Sequence, residues 1–278
     1  MFRCAFCADP AVFNRGWHGF TPERTVAELA DLWHRYRYTD ISFQDETFFT
    51  NSRRVNAISE GILQAGIRST WTGTLRADQG RRLDDDVLAK CKRSGLRRVM
   101  IGMEAGSQET IDAIQKDIKV DDMWVTADKL IKHDVGAIIN VIVGFPGESE
   151  ASVAESLRVA AELSRMSPQF EIAVFYFKPY PGNPIAARLE QDGYRFPATL
   201  DEWGKFDYVG STNTWLTPTQ CAEIEGFKFY QRYAYDGRTS PIRKVLGAVA
   251  RARVERRFYG FPVEQRLIEW IKPRQALS

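Results

Sequence analysis

The most reactive side chains lie at the start of the chain, where Cys4-Ala5-Phe6-Cys7 sets two thiols at C-x-x-C spacing. Thiolates so spaced bind zinc, work as a redox dithiol, or hold part of an iron–sulfur cluster. A structural zinc site needs two further ligands at suitable spacing. Cys91 falls on an apolar helical face, Cys221 stands isolated, and His18, His34 and His133 are scattered. The histidines are given no role, and the two later cysteines are read as small core residues. Taken alone, the pair leaves the metal and redox readings open.

Three other strings carry charge or unusual backbone freedom. Asp45-Glu46-Thr47 sets two carboxylates side by side, which is ordinarily a solvated pair or a helix-start charge. Glu104 directly follows the apolar run Val99-Met100-Ile101-Gly102-Met103. A carboxylate buried there is costly unless a cation meets it, so a cationic ligand or Arg76 is the expected complement. Gly144-Phe145-Pro146-Gly147-Glu148 is a turn whose glycines permit tight backbone geometry.

The surrounding pattern explains how such strings could meet. Short apolar or β-branched runs at 40–43, 69–75, 98–103, 137–143 and 172–177 predict buried strands. Between them Val26, Leu29, Ala30 and Trp33 share a helical face, as do Val55, Ile58 and Ile62, then Val87, Leu88 and Cys91. Thr21, Asn51, Asp84, Ser107 and Ser149 stand at N-cap positions, and Gly95 closes a helix. Strand and helix alternating at about 30-residue spacing predict right-handed βαβ units and a parallel sheet. In such sheets the loops after the strand C-termini build the site. Asp45-Glu46-Thr47, Arg76, Glu104 with Ser107, the Gly144 turn, and Pro179-Tyr180-Pro181-Gly182 all fall at those places.

In this context Cys4-Ala5-Phe6-Cys7-Ala8-Asp9-Pro10 resembles the latter part of the C-x-x-x-C-x-aromatic-C signature of the radical S-adenosylmethionine (SAM) superfamily, with Phe6 at the aromatic position. On that alignment the first cysteine of the signature falls immediately before Met1. Asp45-Glu46-Thr47 is similar to the family's acidic motif, whose backbone receives the methionine amino group. Glu104-Ala105-Gly106-Ser107 resembles the segment that meets the SAM carboxylate and ribose. Gly144 to Glu148 resembles the turn that lies against adenine, and Pro179-Tyr180-Pro181-Gly182-Asn183-Pro184 the sixth-strand motif.

The resemblance implies a partial (β/α)6 TIM-like barrel lacking its first strand, over residues 1–193, with a mostly helical C-terminal extension over 194–278. It implies a 4Fe-4S cluster held in part by Cys4 and Cys7. Around SAM it implies Phe6, Asp45, Glu46, Thr47, Arg76, Glu104, Ser107, Gly144, Phe145, Pro146, Gly147 and Glu148. In the family the reduced cluster cleaves SAM to a 5′-deoxyadenosyl radical that abstracts hydrogen from substrate. The motif combination most resembles the branch carrying an upstream cobalamin-binding domain, whose chemistry is methylation or oxidative cyclisation. Cobalamin is thus an expectation for a longer parent protein, with a small-molecule or lipid-like substrate and an electron donor such as flavodoxin or ferredoxin. The rival expectation is a noncatalytic remnant of the same fold that holds no cluster.

Composition agrees with a folded domain. The chain has 278 residues, 44% of them hydrophobic, and its 38 basic and 36 acidic residues leave a net charge of +2. That balance offers no field to draw nucleic acid, so no nucleic-acid partner is expected. No apolar run approaches the roughly 20 residues that cross a bilayer, and a cytoplasmic protein is the expectation. Near the C-terminus Ile242, Val245, Leu246 and Val249 form a stripe beside Arg243, Lys244, Arg251, Arg253, Arg256 and Arg257. The favoured reading is a helix docked on the body, with a membrane-surface helix or an acidic-partner patch as the alternative. The aromatic segment from Trp203 to Tyr208 is expected to close the substrate side.

Overall fold

The computed structural model describes residues 2–13, 16–206, 215–235 and 240–266. In chain order these form α1 (Asp9–Val12), α2 (Pro22–Tyr36), β1 (Asp40–Ser42), α3 (Ser52–Gln64), β2 (Thr70–Arg76), α4 (Ala77–Arg82), α5 (Asp85–Arg93) and β3 (Leu96–Glu104). They continue as α6 (Gln108–Ala113), α7 (Val120–Lys132), β4 (Gly136–Val143), α8 (Glu150–Met166), β5 (Phe170–Tyr176), α9 (Pro184–Gln191), α10 (Leu200–Gly204), α11 (Pro218–Ala234) and α12 (Pro241–Arg256). Each predicted strand forms, although β3 begins two residues earlier than its apolar run and β5 begins at Phe170.

All neighbouring strands pair in parallel, in the order β1-β2-β3-β4-β5. The sheet is a half-barrel of the TIM type, as the alternation of strand and helix requires. Its two faces are legible in β4, where Ala137, Ile139, Val141 and Val143 are buried and Ile138, Asn140 and Ile142 are half-buried. The first set joins the core with the helices; Asn140 lines a cavity on the other face.

All five predicted N-cap residues stand at their N-cap positions, but Asp84 and Ser107 make no side-chain cap bond. Thr21, Asn51 and Ser149 accept the amides of Arg24, Arg54 and Ser152, removing orphan donors from each first turn. Ser107 sits at the N-cap of α6 but turns its hydroxyl to Ser152 of α8, 3.1 Å away. The two helices approach so closely that a Cβ on Gly106 would lie 2.9 Å from the Ser156 backbone, so only glycine fits there.

The later helices pack on the last strand. Gln231 of α11 donates to the Ile172 carbonyl of β5 at 3.0 Å, and Tyr176 donates to Glu225 at 2.9 Å. Burial, then the Glu225 carboxylate, push the Tyr176 phenol upward. Ile224, Phe227, Tyr230, Ala250 and Val254 are buried in the same core as the barrel helices. Of the C-terminal stripe, Val245 is 67% exposed and Leu246 and Val249 are half-buried, while Ala250 and Val254, outside the stripe, are buried. The face of α12 that docks is therefore shifted toward its C-terminal half. The side chain of Ile242 lies outside the described residues, as do Asp207 and Tyr208 of the expected closing segment.

Candidate active site

A cavity of about 590 Å³ opens at the C-terminal ends of the strands, lined by β2, β3 and β4, the loop after β1, and the N-terminal segment. Eight of the residues singled out by sequence line it: Cys4, Phe6, Cys7, Asp45, Glu46, Thr47, Arg76 and Glu104. Ser107 and the turn from Gly144 to Glu148 do not. Phe2, Trp17, His18, Thr74, Met100, Lys116 and Asn140 also line it, and sequence gave none of them a role.

The cysteine segment is a tight turn in which the Cys7 amide donates to the Cys4 carbonyl at 3.2 Å. Cys4 is buried and Cys7 half-buried. Burial raises the Cys7 thiol to about 12, with Asp9 beside it as a lesser cause, so its proton must leave before a metal binds. The same Asp9 carboxylate, after burial, holds Glu46 above its ordinary range. The Arg76 guanidinium points Nη1 at Cys4 Sγ, 3.7 Å away. Its Nε meets Asp78 at 3.0 Å, its Nη2 donates to the Lys116 carbonyl at 2.8 Å, and it stacks on Phe2. These bonds turn Arg76 toward Cys4, Asp78 and the Lys116 backbone, so it is not the complement of Glu104.

That complement is Lys116, whose Nζ lies 2.6 Å from Glu104 Oε1, with both side chains nearly fully buried. They stand twelve positions apart in the chain. Lys116 is thrown inward by a turn flanked by Gln115 and Asp117, both with positive φ, and Glu104 itself has φ +65° at the end of β3. The carboxylate folds back over Gly102, where a Cβ would meet Oε1 at 2.2 Å. A non-glycine residue at φ near +60° stores strain, and such residues gather at sites.

Thr74 of β2 fixes the acidic loop, donating to the Asp45 carbonyl at 2.5 Å while accepting the Phe48 amide at 3.1 Å. Asp45 faces the Arg54 guanidinium of α3 at 3.6 Å. The glycine turn stands beside the cysteine segment without entering the cavity: Phe145 meets Phe6 edge-on at 5.8 Å and packs on Phe177. Glu148 closes the turn on itself, accepting the Gly144 and Phe145 amides at 2.7 and 3.1 Å and the Thr110 hydroxyl at 3.3 Å. Burial raises its carboxyl despite those donors.

Two thiols in one cavity with a guanidinium against one of them suit part of an iron–sulfur cluster. Cys91 lies buried against Ser59, and Cys221 lies on α11, so neither reaches the cavity. Among the described residues no group of three or more histidine, cysteine, aspartate or glutamate side chains could hold a metal ion by itself. Beside the thiols, a carboxylate, an ammonium and the acidic loop could meet a zwitterionic amino-acid head and a ribose.

The profile of the radical SAM superfamily matches residues 1–160. The chain is 33% identical over 187 residues to an uncharacterized methyltransferase of Pyrococcus horikoshii, covering 66% of this chain and 39% of that one. It is 22% identical over 273 residues to the anaerobic magnesium-protoporphyrin IX monomethyl ester cyclase of Cereibacter sphaeroides, covering 93% of this chain and 43% of that one. The chain thus spans about two-fifths of the length of these curated relatives. Among solved structures, the cobalamin-dependent SAM radical enzyme OxsB superposes with a TM-score of 0.63 at 13% identity, over 92% of this chain and 44% of that one. At that identity the likeness speaks for the fold.

Proposed function

The chain belongs to the radical SAM superfamily, and on that premise we propose that it is the core of an enzyme that reductively cleaves SAM in the cavity at the strand ends, to begin methylation-type radical chemistry. The observation that carries this reading is convergence. Cys4, Cys7, the Asp45–Thr47 loop and the Glu104–Lys116 pair come from four separate stretches of chain and line one cavity. A surface arrangement of the same residues would have no reason to meet.

When bound, a reduced 4Fe-4S cluster supplies the electron that cleaves the sulfonium, and that chemistry belongs to the cofactor. Cys4 and Cys7 would supply two of its thiolates. Arg76 donates toward Cys4, a contact that tunes such clusters. Asp45, Glu46 and Thr47, held by Thr74, would receive the amino group of SAM, and Glu104 with Lys116 its ribose and carboxylate. The buried walls exclude water from a reactive intermediate. Phe6 lines the cavity beside the thiols, and Ser107 and the Gly144–Pro146–Gly147 turn with Phe145 and Glu148 are assigned to the shell that fixes it.

We place the end of the core near residue 193, with α10 to α12 as an extension. The relatives' greater length and the cobalamin of OxsB support an upstream cobalamin-binding domain in a longer parent protein. A small-molecule or lipid-like methyl acceptor and a flavodoxin- or ferredoxin-type donor complete the reading. No described helix is long and apolar enough to cross a membrane, and a cytoplasmic site is proposed.

The test is anaerobic reconstitution with iron and sulfide, followed by dithionite and SAM, with 5′-deoxyadenosine as the readout. It is run on the chain and on a form with a cysteine placed immediately before Met1. The chain is expected to hold iron weakly, because two thiolates retain a cluster poorly. The extended form is expected to hold it stoichiometrically and release 5′-deoxyadenosine. Iron uptake that survives Cys4→Ser and Cys7→Ser together contradicts the proposal.

A further inference from the structure

The cysteine segment is held from the far end of the barrel. Asn183, only 2% exposed, caps α9 by accepting the Ala186 amide at Oδ1, 2.8 Å away. Capping uses only that oxygen, and among the described residues serine or threonine performs it on five other helices, at Thr21, Ser149, Thr199, Thr217 and Ser240. What asparagine adds is Nδ2, which donates to the Phe6 carbonyl at 3.0 Å and the Tyr180 carbonyl at 2.7 Å. The first bond links residues 177 positions apart.

The rest of the helix start completes the grip. Pro184 brings no amide hydrogen, and the Ile185 amide, an orphan in any first turn, donates to the Ala5 carbonyl at 3.1 Å. The Ala5 amide in turn donates to the Ile114 carbonyl at 2.8 Å. Both carbonyls between the two cysteines are therefore held by donors two residues apart at the start of α9. Leaving the buried Ala5 carbonyl or the half-buried Phe6 carbonyl unpaired would carry a desolvation penalty.

We propose that Asn183 is a positioning residue: its side-chain amide clamps the Phe6 carbonyl and so fixes Cys4 and Cys7 in the orientation in which both face the cavity. Its functional meaning rests on the cluster reading above, whereas the clamp itself is open to test without metal. Asn183 does not line the cavity, so it acts through the segment it holds.

Asn183→Ser keeps an N-cap oxygen and removes the donor. Asn183→Asp also keeps the cap but aims a carboxylate at two carbonyl oxygens. Hydrogen exchange of the full metal-free chain is compared for segment 2–8 and for α9, with Tm alongside. In Asn183→Ser the exchange of segment 2–8 is expected to rise at least tenfold, while exchange in α9 stays within about twofold of wild type. Asn183→Asp is expected to open the segment further. Unchanged exchange of segment 2–8 in both variants, or an equal rise in that segment and in α9, overturns the clamp.

A second arm loads iron and sulfide into the chain and its cysteine-extended form and follows release to a chelator. Release several-fold faster from Asn183→Ser supports the positioning role, and equal release overturns it. A wild type that takes up no iron in either form sinks the cluster reading instead, leaving the exchange result to decide the clamp.

Discussion

Glu104 and Lys116 are the pair on which the cavity's electrostatics turn. Two opposite charges so buried are stable only together, since removal of one leaves the other desolvated and unpaired. Lys116→Met is therefore expected to destabilise the fold by about 3–5 kcal/mol, read as a lower urea midpoint at unchanged m-value. Adding Glu104→Gln should restore most of that loss, because it removes the stranded charge. Additive losses in the double variant would show that the two side chains do not interact. The sequence marked Glu104 as needing a cation and named Arg76; the right partner was invisible, because nothing in the string Ile114-Gln115-Lys116-Asp117 signals that two left-handed residues will turn the lysine inward.

Among the elements, β1 is the most exposed to loss. It is three residues long, lies at the sheet edge, and among the described residues pairs only with β2. Its tie to the rest of the sheet is Asp40, which meets the Arg97 guanidinium with two bonds of 2.7 Å and also accepts the Thr70 hydroxyl at 2.5 Å. The Arg97 hydrogen bonds lower the Asp40 carboxyl to about 2, against opposition from partial burial. A folded value below the unfolded one, about 3.9, gives stability that is full above the unfolded value and is lost as pH falls through the folded one. Wild type should thus melt above Asp40→Asn at neutral pH, with the gap narrowing below about pH 4 and closing near about pH 2. A gap that persists at the acid end would mean that the ion pair is not its source. The short run that predicts β1 was legible in sequence, but its exposure was not, since Asp40 and Ser42 are exposed and Ile41 half-buried at the sheet edge, nor was its bridge across β2 to β3, since local pattern carries no cross-sheet pairing.

For the whole molecule the open matter is whether the C-terminal helices form a unit of their own. Phe227 and Tyr230 of α11 are almost fully buried in the core that includes the barrel helices and Ile172 of β5. Phe227→Ala is expected to cost about 3–5 kcal/mol. If α11 shares the barrel's core, calorimetry should still give one transition, shifted downward; a second, early transition would mark an independent extension. The charge on α12 is likewise partly structural. Arg253 is spent on Glu264 and on the Phe258, Gly260 and Phe261 carbonyls, and Arg257 on Glu223. That use of the arginines favours the docked helix over a membrane-surface one.

The sequence by itself determined the parallel α/β architecture, because burial alternates with a period fixed by each backbone type, and it determined which strand ends carry reactive groups, because those groups interrupt the apolar pattern. It also brought Asp45, Arg76 and Glu104 to one end in advance, since strand C-termini of a parallel sheet lie together, whereas Cys4 and Cys7 were placed beside them only by the family resemblance. Only the tertiary structure decided the pairings: Lys116 for Glu104, Arg76 for Cys4, Glu148 for its own turn, and Asn183 for Phe6. Such contacts depend on side-chain direction and on loop dihedrals across long sequence separations. Periodicity encodes neither.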